Sequence, residues 1–223
     1  MTFIITNPPF SGMSGLDIRL GSTREYTLRL ADLLAKAFRS ALVSREWRST
    51  RNGLPVDPFS GAGALTYAQT VDIAVGPFAF EHPLVTQFDD LVTNHETLIE
   101  HLLYLHAANI QAFGSEYPSP TLSAIRGANP NPRCFIAVEI ERGNIQPKYL
   151  LGSAHCAAAW GKLGIVVCWP RRLKTLLRVR EMLAEQAQCA KNTFCIDNLL
   201  VLDCEQTVDI LEAYISSMNG ASQ

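Results

Sequence analysis

Apolar and polar positions along the chain fall into stretches of two different periods. Tyr26, Leu30, Leu33, Leu34, Ala37, Phe38, Ala41 and Leu42 recur at helical spacing, which predicts an amphipathic helix with Ser22 or Thr23 as its N-cap. Val71-Asp72-Ile73-Ala74-Val75, stopped by Gly76-Pro77, predicts a short buried strand interrupted by one acid. Residues 84–113 return to the helical period through Phe88, Leu91, Val92, Leu98, Leu102 and Leu105. Pro118, Pro120, Gly127, Pro130 and Pro132 then predict a long loop over 114–132. Residues 135–141 and 162–169 are apolar runs that read as strands covered on both faces. Between them lies a helix rich in small residues, among them Gly152, Ser153, Ala154, Ala157, Ala158 and Ala159. Strand, helix and strand in this compass predict a parallel crossover. A basic helix, a strand at 198–202 and a last helix at 205–217 complete the chain.

The run Phe135-Ile136-Ala137-Val138-Glu139-Ile140-Glu141 places chemistry on this pattern. Strand side chains repeat every two residues, so Glu139 and Glu141 project from one face where the chain leaves the sheet. Two acids there repel each other and lose hydration. A bound cation, or a proton being moved, would offset that cost.

A length of 223 residues with 48% hydrophobic content suits one α/β domain, 1–223, with 84–132 as a helical insertion and loop inside it. The net charge of −2 hides an asymmetry, since no Lys or Arg occurs from 57 to 125. The middle is therefore acidic and the flanks basic, as a polyanion held against basic walls would require, or as a balanced set of solvated helices would produce. The six cysteines form no CxxC pair, which predicts reduced thiols in a cytoplasmic protein. No signal peptide and no bilayer-spanning stretch are expected. The first 20 residues predict an irregular arm with an edge strand at 3–5. The glycine-rich loop at 57–64 lacks a Gly-Lys-Ser/Thr ending and is not a nucleotide loop. His95 and His101, six apart, lack the four-residue spacing of a zinc helix.

Asp72 on one strand and Glu139-Ile140-Glu141 on another, followed by Lys148-Tyr149-Leu150-Leu151-Gly152-Ser153 and Gly161-Lys162-Leu163-Gly164-Ile165-Val166-Val167, resemble the PD-(D/E)XK nuclease superfamily, and within it a group of uncharacterised microbial proteins. The resemblance spans 71–167 and extends to the helix bearing Arg24. It implies a restriction-endonuclease-like fold, a central mixed sheet flanked by helices in the order αβββαβ. It also implies Mg²⁺- or Mn²⁺-dependent hydrolysis of DNA phosphodiesters, in a restriction or defence setting, by a homodimer. Carried over by position, Asp72, Glu139 and the backbone carbonyl of Ile140 are the metal ligands. Hard oxygen donors of this kind suit Mg²⁺ or Mn²⁺.

The pattern departs at its third position, where Glu141 stands in place of the usual lysine. Glu141 is then the candidate to orient or deprotonate the water, and Lys148 the candidate to supply the missing positive charge. Glu25 is a possible extra acid from the first helix. Lys162, Arg171, Arg172, Lys174 and Arg178 are the candidate phosphate contacts. The alternative is a catalytically inactive nuclease-fold module that binds nucleic acid or protein.

Overall fold

The computed structural model describes residues 21–39, 41–48, 70–78, 85–143, 146–189 and 195–220. The arm with its strand at 3–5 and the loop at 57–64 lie outside these residues. Among them the elements run α1 (Thr23–Ala37), β1 (Val43–Arg48), β2 (Thr70–Val75), α2 (Val85–Asn94), α3 (Glu96–Phe113), α4 (Leu122–Gly127), β3 (Cys134–Glu141), α5 (Pro147–Trp160), β4 (Gly161–Cys168), α6 (Pro170–Ala187), β5 (Leu199–Asp203) and α7 (Cys204–Gly220).

The chain is α/β, with one five-stranded mixed sheet in the order β1-β2-β3-β4-β5. β1, β2 and β3 pair antiparallel, whereas β3, β4 and β5 run parallel. The two parallel steps are made by α5, as the apolar runs predict, and by α6. One face of the sheet packs Ile73, Val138, Ile140, Ile165 and Leu202 against α1, α3 and α7. The other packs Val166, Cys168, Leu199 and Val201 against α5 and α6. A Cβ on Gly164 would lie 2.6 Å from the Ala157 carbonyl carbon, so α5 rests directly on β4.

Three local features differ from expectation. The helical period over 84–113 resolves into two helices that meet at His95, whose φ of −116° and ψ of 22° leave the helical region. The His95 ring packs on Phe38, with centroids 4.4 Å apart. The loop at 114–132 contains the short helix α4, capped by the Thr121 hydroxyl accepting the Ala124 N–H at 3.1 Å. β1 has no counterpart in the hydrophobic pattern, because Ser44-Arg45-Glu46 is polar and an edge strand needs no apolar alternation.

The opposite edge is closed by α3. The Val201 N–H of β5 donates to His106 Nδ1 at 3.0 Å, and Asn109 Nδ2 donates to the Val201 carbonyl at 3.3 Å. His106 is fully buried, and burial pushes its imidazole down to about 3, so the ring is neutral at physiological pH and serves as an edge cap. Among the described residues all six cysteines are free thiols, and no helix is long and apolar enough to cross a membrane.

Candidate functional site

The strand pair that carries the acids opens where they begin. The β2–β3 ladder runs from Val75↔Ile136 to Ile73↔Val138. At the next step the Asp72 side chain takes over, its Oδ2 accepting the Ile140 N–H at 2.7 Å. A carboxylate thus replaces a main-chain carbonyl as the partner of a strand N–H. Within one strand residue the N–H and C=O point to the same edge, so the Ile140 carbonyl also faces β2, beside Asp72.

Glu139 and Glu141 lie on the face covered by α5, as the two-residue period requires. Both are buried, at 8% and 6% exposure. The Ser153 hydroxyl of α5 donates to Glu141 Oε1, while Oε2 is buried with no hydrogen-bond partner among the described residues. Burial raises all three acids. Asp72 is lifted to about 6 by burial, against the pull of its bond from Ile140, with Glu46 and Glu141 adding to the rise. Glu139 is lifted to about 9 by burial first and then by the charges of Asp72, Glu141 and Glu46. Glu141 is raised by burial, opposed by Ser153 and by the positive charge of Arg172.

Glu46 is the acid that sequence reasoning missed. β1 pairs Arg45↔Ile73 and Trp47↔Val71, which sets Glu46 opposite Asp72. Its φ of +49° is in the left-handed region, unusual for a side-chain-bearing residue and costly within a strand. Its charge acts on both Asp72 and Glu139. Nothing in the local sequence marks it, because only the pairing of β1 with β2 brings it there.

Several candidates fall elsewhere. Glu25 forms a capping box, its Oε2 accepting the Ser22 N–H at 2.6 Å and its own N–H donating to Ser22 Oγ at 3.2 Å. That bond holds its carboxyl below the usual range, and the helix that carries it lies on the opposite face of the sheet from the acids. Lys148 is exposed, with its ammonium 5.0 Å from the centre of the Tyr149 ring. The positive charge felt by Glu141 comes instead from Arg172, whose Nε donates to the Gly143 carbonyl at 2.9 Å.

Lys162 does not reach an external phosphate. It is 2% exposed and donates to the carbonyls of Arg126 at 2.6 Å and Ala128 at 3.2 Å, with Asp89 at 3.6 Å. Its role is to tie α2 and the end of α4 to the start of β4. Lys162→Met is therefore expected to cost about 2 kcal/mol in urea unfolding, by leaving two carbonyls unpaired, and to leave oligonucleotide affinity unchanged. Arg171, Lys174 and Arg178 are exposed. Their i, i+3, i+7 spacing forms one stripe along α6.

Asp72, Glu139, Glu141 and Glu46 are acids whose charges act on one another at the end of β2 and β3. Glu139 and Glu141 are buried where an ionised carboxylate is costly; burial keeps a proton on Glu139, and Glu141 is met by the Ser153 hydroxyl and the charge of Arg172. Among the described residues, no three His, Cys, Asp or Glu side chains are grouped closely enough to hold a metal ion as they stand. No family model, no curated protein and no solved structure matches the chain.

Proposed function

We propose that the chain is a metal-dependent phosphodiester hydrolase, and within that class an endonuclease acting on DNA with a restriction-endonuclease-like core. The observation that carries this reading is the buried pair at the end of β3. Glu139 is 8% exposed, and Glu141 Oε2 is buried with no partner among the described residues. Ser153 and Arg172 meet part of the cost of burial at Glu141 and a proton meets it at Glu139; a bound cation would meet the rest. The succession α1-β1-β2, then β3-α5-β4 after a helical insertion, supports the αβββαβ reading. So do antiparallel pairing through β3 and parallel pairing beyond it.

Asp72, Glu139 and the Ile140 carbonyl would hold Mg²⁺ or Mn²⁺, with Glu46 as a further donor from β1. When bound, the ion supplies charge stabilisation at the phosphoryl oxygens and acidifies a water. Ser153 fixes Glu141 through Oε1 and leaves Oε2 to accept the proton of an attacking water, a task suited to a carboxyl raised above its usual range. Arg172 offsets negative charge beside Glu141, and the Arg171, Lys174 and Arg178 stripe offers sequence-independent phosphate contacts. An ion held there would have to displace the proton that burial keeps on Glu139.

The test is supercoiled plasmid with Mg²⁺ or Mn²⁺. Nicking by the intact protein is expected, with loss on chelation by EDTA and in Glu139→Ala. No nicking in either ion, or unchanged nicking by the variant, removes the reading. Metal-independent oligonucleotide binding without cleavage would favour the inactive binding module. Conversion of nicked to linear plasmid at a rate rising with the square of protein concentration would mark a homodimer.

A further inference from the structure

On its buried side α6 carries a cation among leucines. Arg180 is 5% exposed and stands one turn from Leu177 and one from Leu183, both of them core residues. Its Nη1 donates to the Tyr117 carbonyl at 3.2 Å and its Nη2 to the Pro118 carbonyl at 2.5 Å, while Nε is buried with no partner among the described residues. Two neutral carbonyls accept hydrogens and leave the charge unmatched. No ion pair among the described residues includes Arg180, and the sequence of 190–194, next after α6 and Cys189, contains no acid. A guanidinium does not shed its proton inside a protein. Burial without a counter-charge is therefore a cost that neutralisation cannot relieve.

Arg180, Tyr117 and Pro118 line a cleft of about 480 Å³, within the range of small-molecule sites. Pro120, Ala184, Ala187 and Ile196 give it apolar walls, and Asp197 lines it with the opposite charge. Asp197 is exposed, and its charge acts on Arg180 without an ion pair between them. The charges of Glu185, Glu116 and Glu181 act on Tyr117. A bare anion drawn to Arg180 would be repelled by these acids, whereas a molecule carrying both charges satisfies both sides. The cleft adjoins the start of β5, and Glu139 and Glu141 stand at the end of β3. Because β3, β4 and β5 run parallel, the two places lie at opposite ends of the sheet.

We infer that this cleft binds a free α-amino acid with an apolar side chain. Its carboxylate pairs with the Arg180 guanidinium, its ammonium faces Asp197, and its side chain lies against Ala184, Ala187 and Ile196. Neither charge is then left unmatched, and the apolar walls are covered.

Isothermal titration of the full chain with L-leucine tests this against two truncated forms of the same molecule: 4-methylpentanoate, which lacks the ammonium, and isoamylamine, which lacks the carboxylate. Leucine is expected to bind at one site per chain, at least about tenfold tighter than either. Arg180→Lys keeps the charge and loses the planar fork, and should weaken leucine and 4-methylpentanoate alike by about tenfold. Asp197→Asn, at an exposed position, should weaken leucine by about tenfold and leave 4-methylpentanoate bound no more weakly than before; it decides alone if the buried variant fails to fold. No heat and no rise in melting temperature with leucine would overturn the inference. Equal affinity for 4-methylpentanoate would overturn it too, by making the cleft a site for simple carboxylates, as would leucine binding that Asp197→Asn leaves unchanged. None of these readouts depends on nicking, so the hydrolase reading stands or falls separately.

Discussion

Glu139→Gln is expected to abolish metal-dependent nicking and, in the absence of metal, to make the protein more stable at alkaline pH. The activity loss follows from the donor set, because an amide brings no charge to a divalent ion. Stabilisation of several kcal/mol at the phosphoryl group disappears with the ion, about a thousandfold in rate.

The stability gain follows from proton linkage. In the unfolded chain Glu139 titrates near its ordinary value of 4.5, whereas in the folded protein burial and three neighbouring acids lift it to about 9. Between those values the folded protein holds a proton that the unfolded chain has released, so stability falls as pH rises through the window. Glutamine is neutral throughout and escapes the penalty. The difference between variant and wild type should be nil near pH 4 and grow toward pH 9. By pH 8 it should reach several kcal/mol, roughly 10 °C or more in melting temperature for a chain of this size. Added Mn²⁺ should raise the melting temperature of the wild type and not that of the variant. Thermal unfolding from pH 4 to 9, with and without Mn²⁺, is the measurement, and a variant less stable than wild type at pH 8 would contradict it.

Asp72 separates two roles that one residue fills. Its carboxylate accepts the Ile140 N–H where the β2–β3 ladder stops, and it is a proposed metal ligand. Asp72→Asn keeps an acceptor oxygen and loses the charge, so nicking should fall by about a thousandfold while stability to urea above pH 6 should be no lower than wild type, because burial lifts the aspartate to about 6. Asp72→Ala loses both and leaves a strand N–H unpaired at a half-buried position, which should cost an additional 1–3 kcal/mol or thereabouts, about the usual penalty for an orphaned donor. Equal stability of the two variants would show that the Ile140 bond contributes nothing, and unchanged nicking in Asp72→Asn would remove Asp72 from the site.

The apolar runs at 135–141 and 162–169 were legible as buried parallel strands because a strand covered on both faces must be apolar at nearly every position. Ser22 announced α1 by its chemistry as a cap. β1 was not legible, since a polar edge strand is specified by its partner and carries no period of its own. The break at His95 was hidden for a related reason. The apolar positions of 84–113 keep their spacing across it, and the Phe38 ring that His95 packs on comes from the distant end of α1.

For the site, the two-residue period alone put Glu139 and Glu141 on one face. Lys162 misled because a lysine in an apolar run looks like an outward charge, and only the fold shows the Arg126 and Ala128 carbonyls that receive it. Glu25 likewise satisfies its own helix terminus, a bond too local to distinguish from a functional acid by spacing.

By itself, then, the sequence determined the α/β class, the strand that bears the acids and the side on which they project, because these follow from local periodicity and the geometry of an extended chain. Tertiary structure alone decided which groups meet them. Glu46 arrives through β1–β2 pairing, Ser153 through the seat of α5 on Gly164, and the charge of Arg172 through the return of α6 to the carboxyl end of β3. Each of these is a long-range contact set by packing, and residue spacing along the chain carries no record of it.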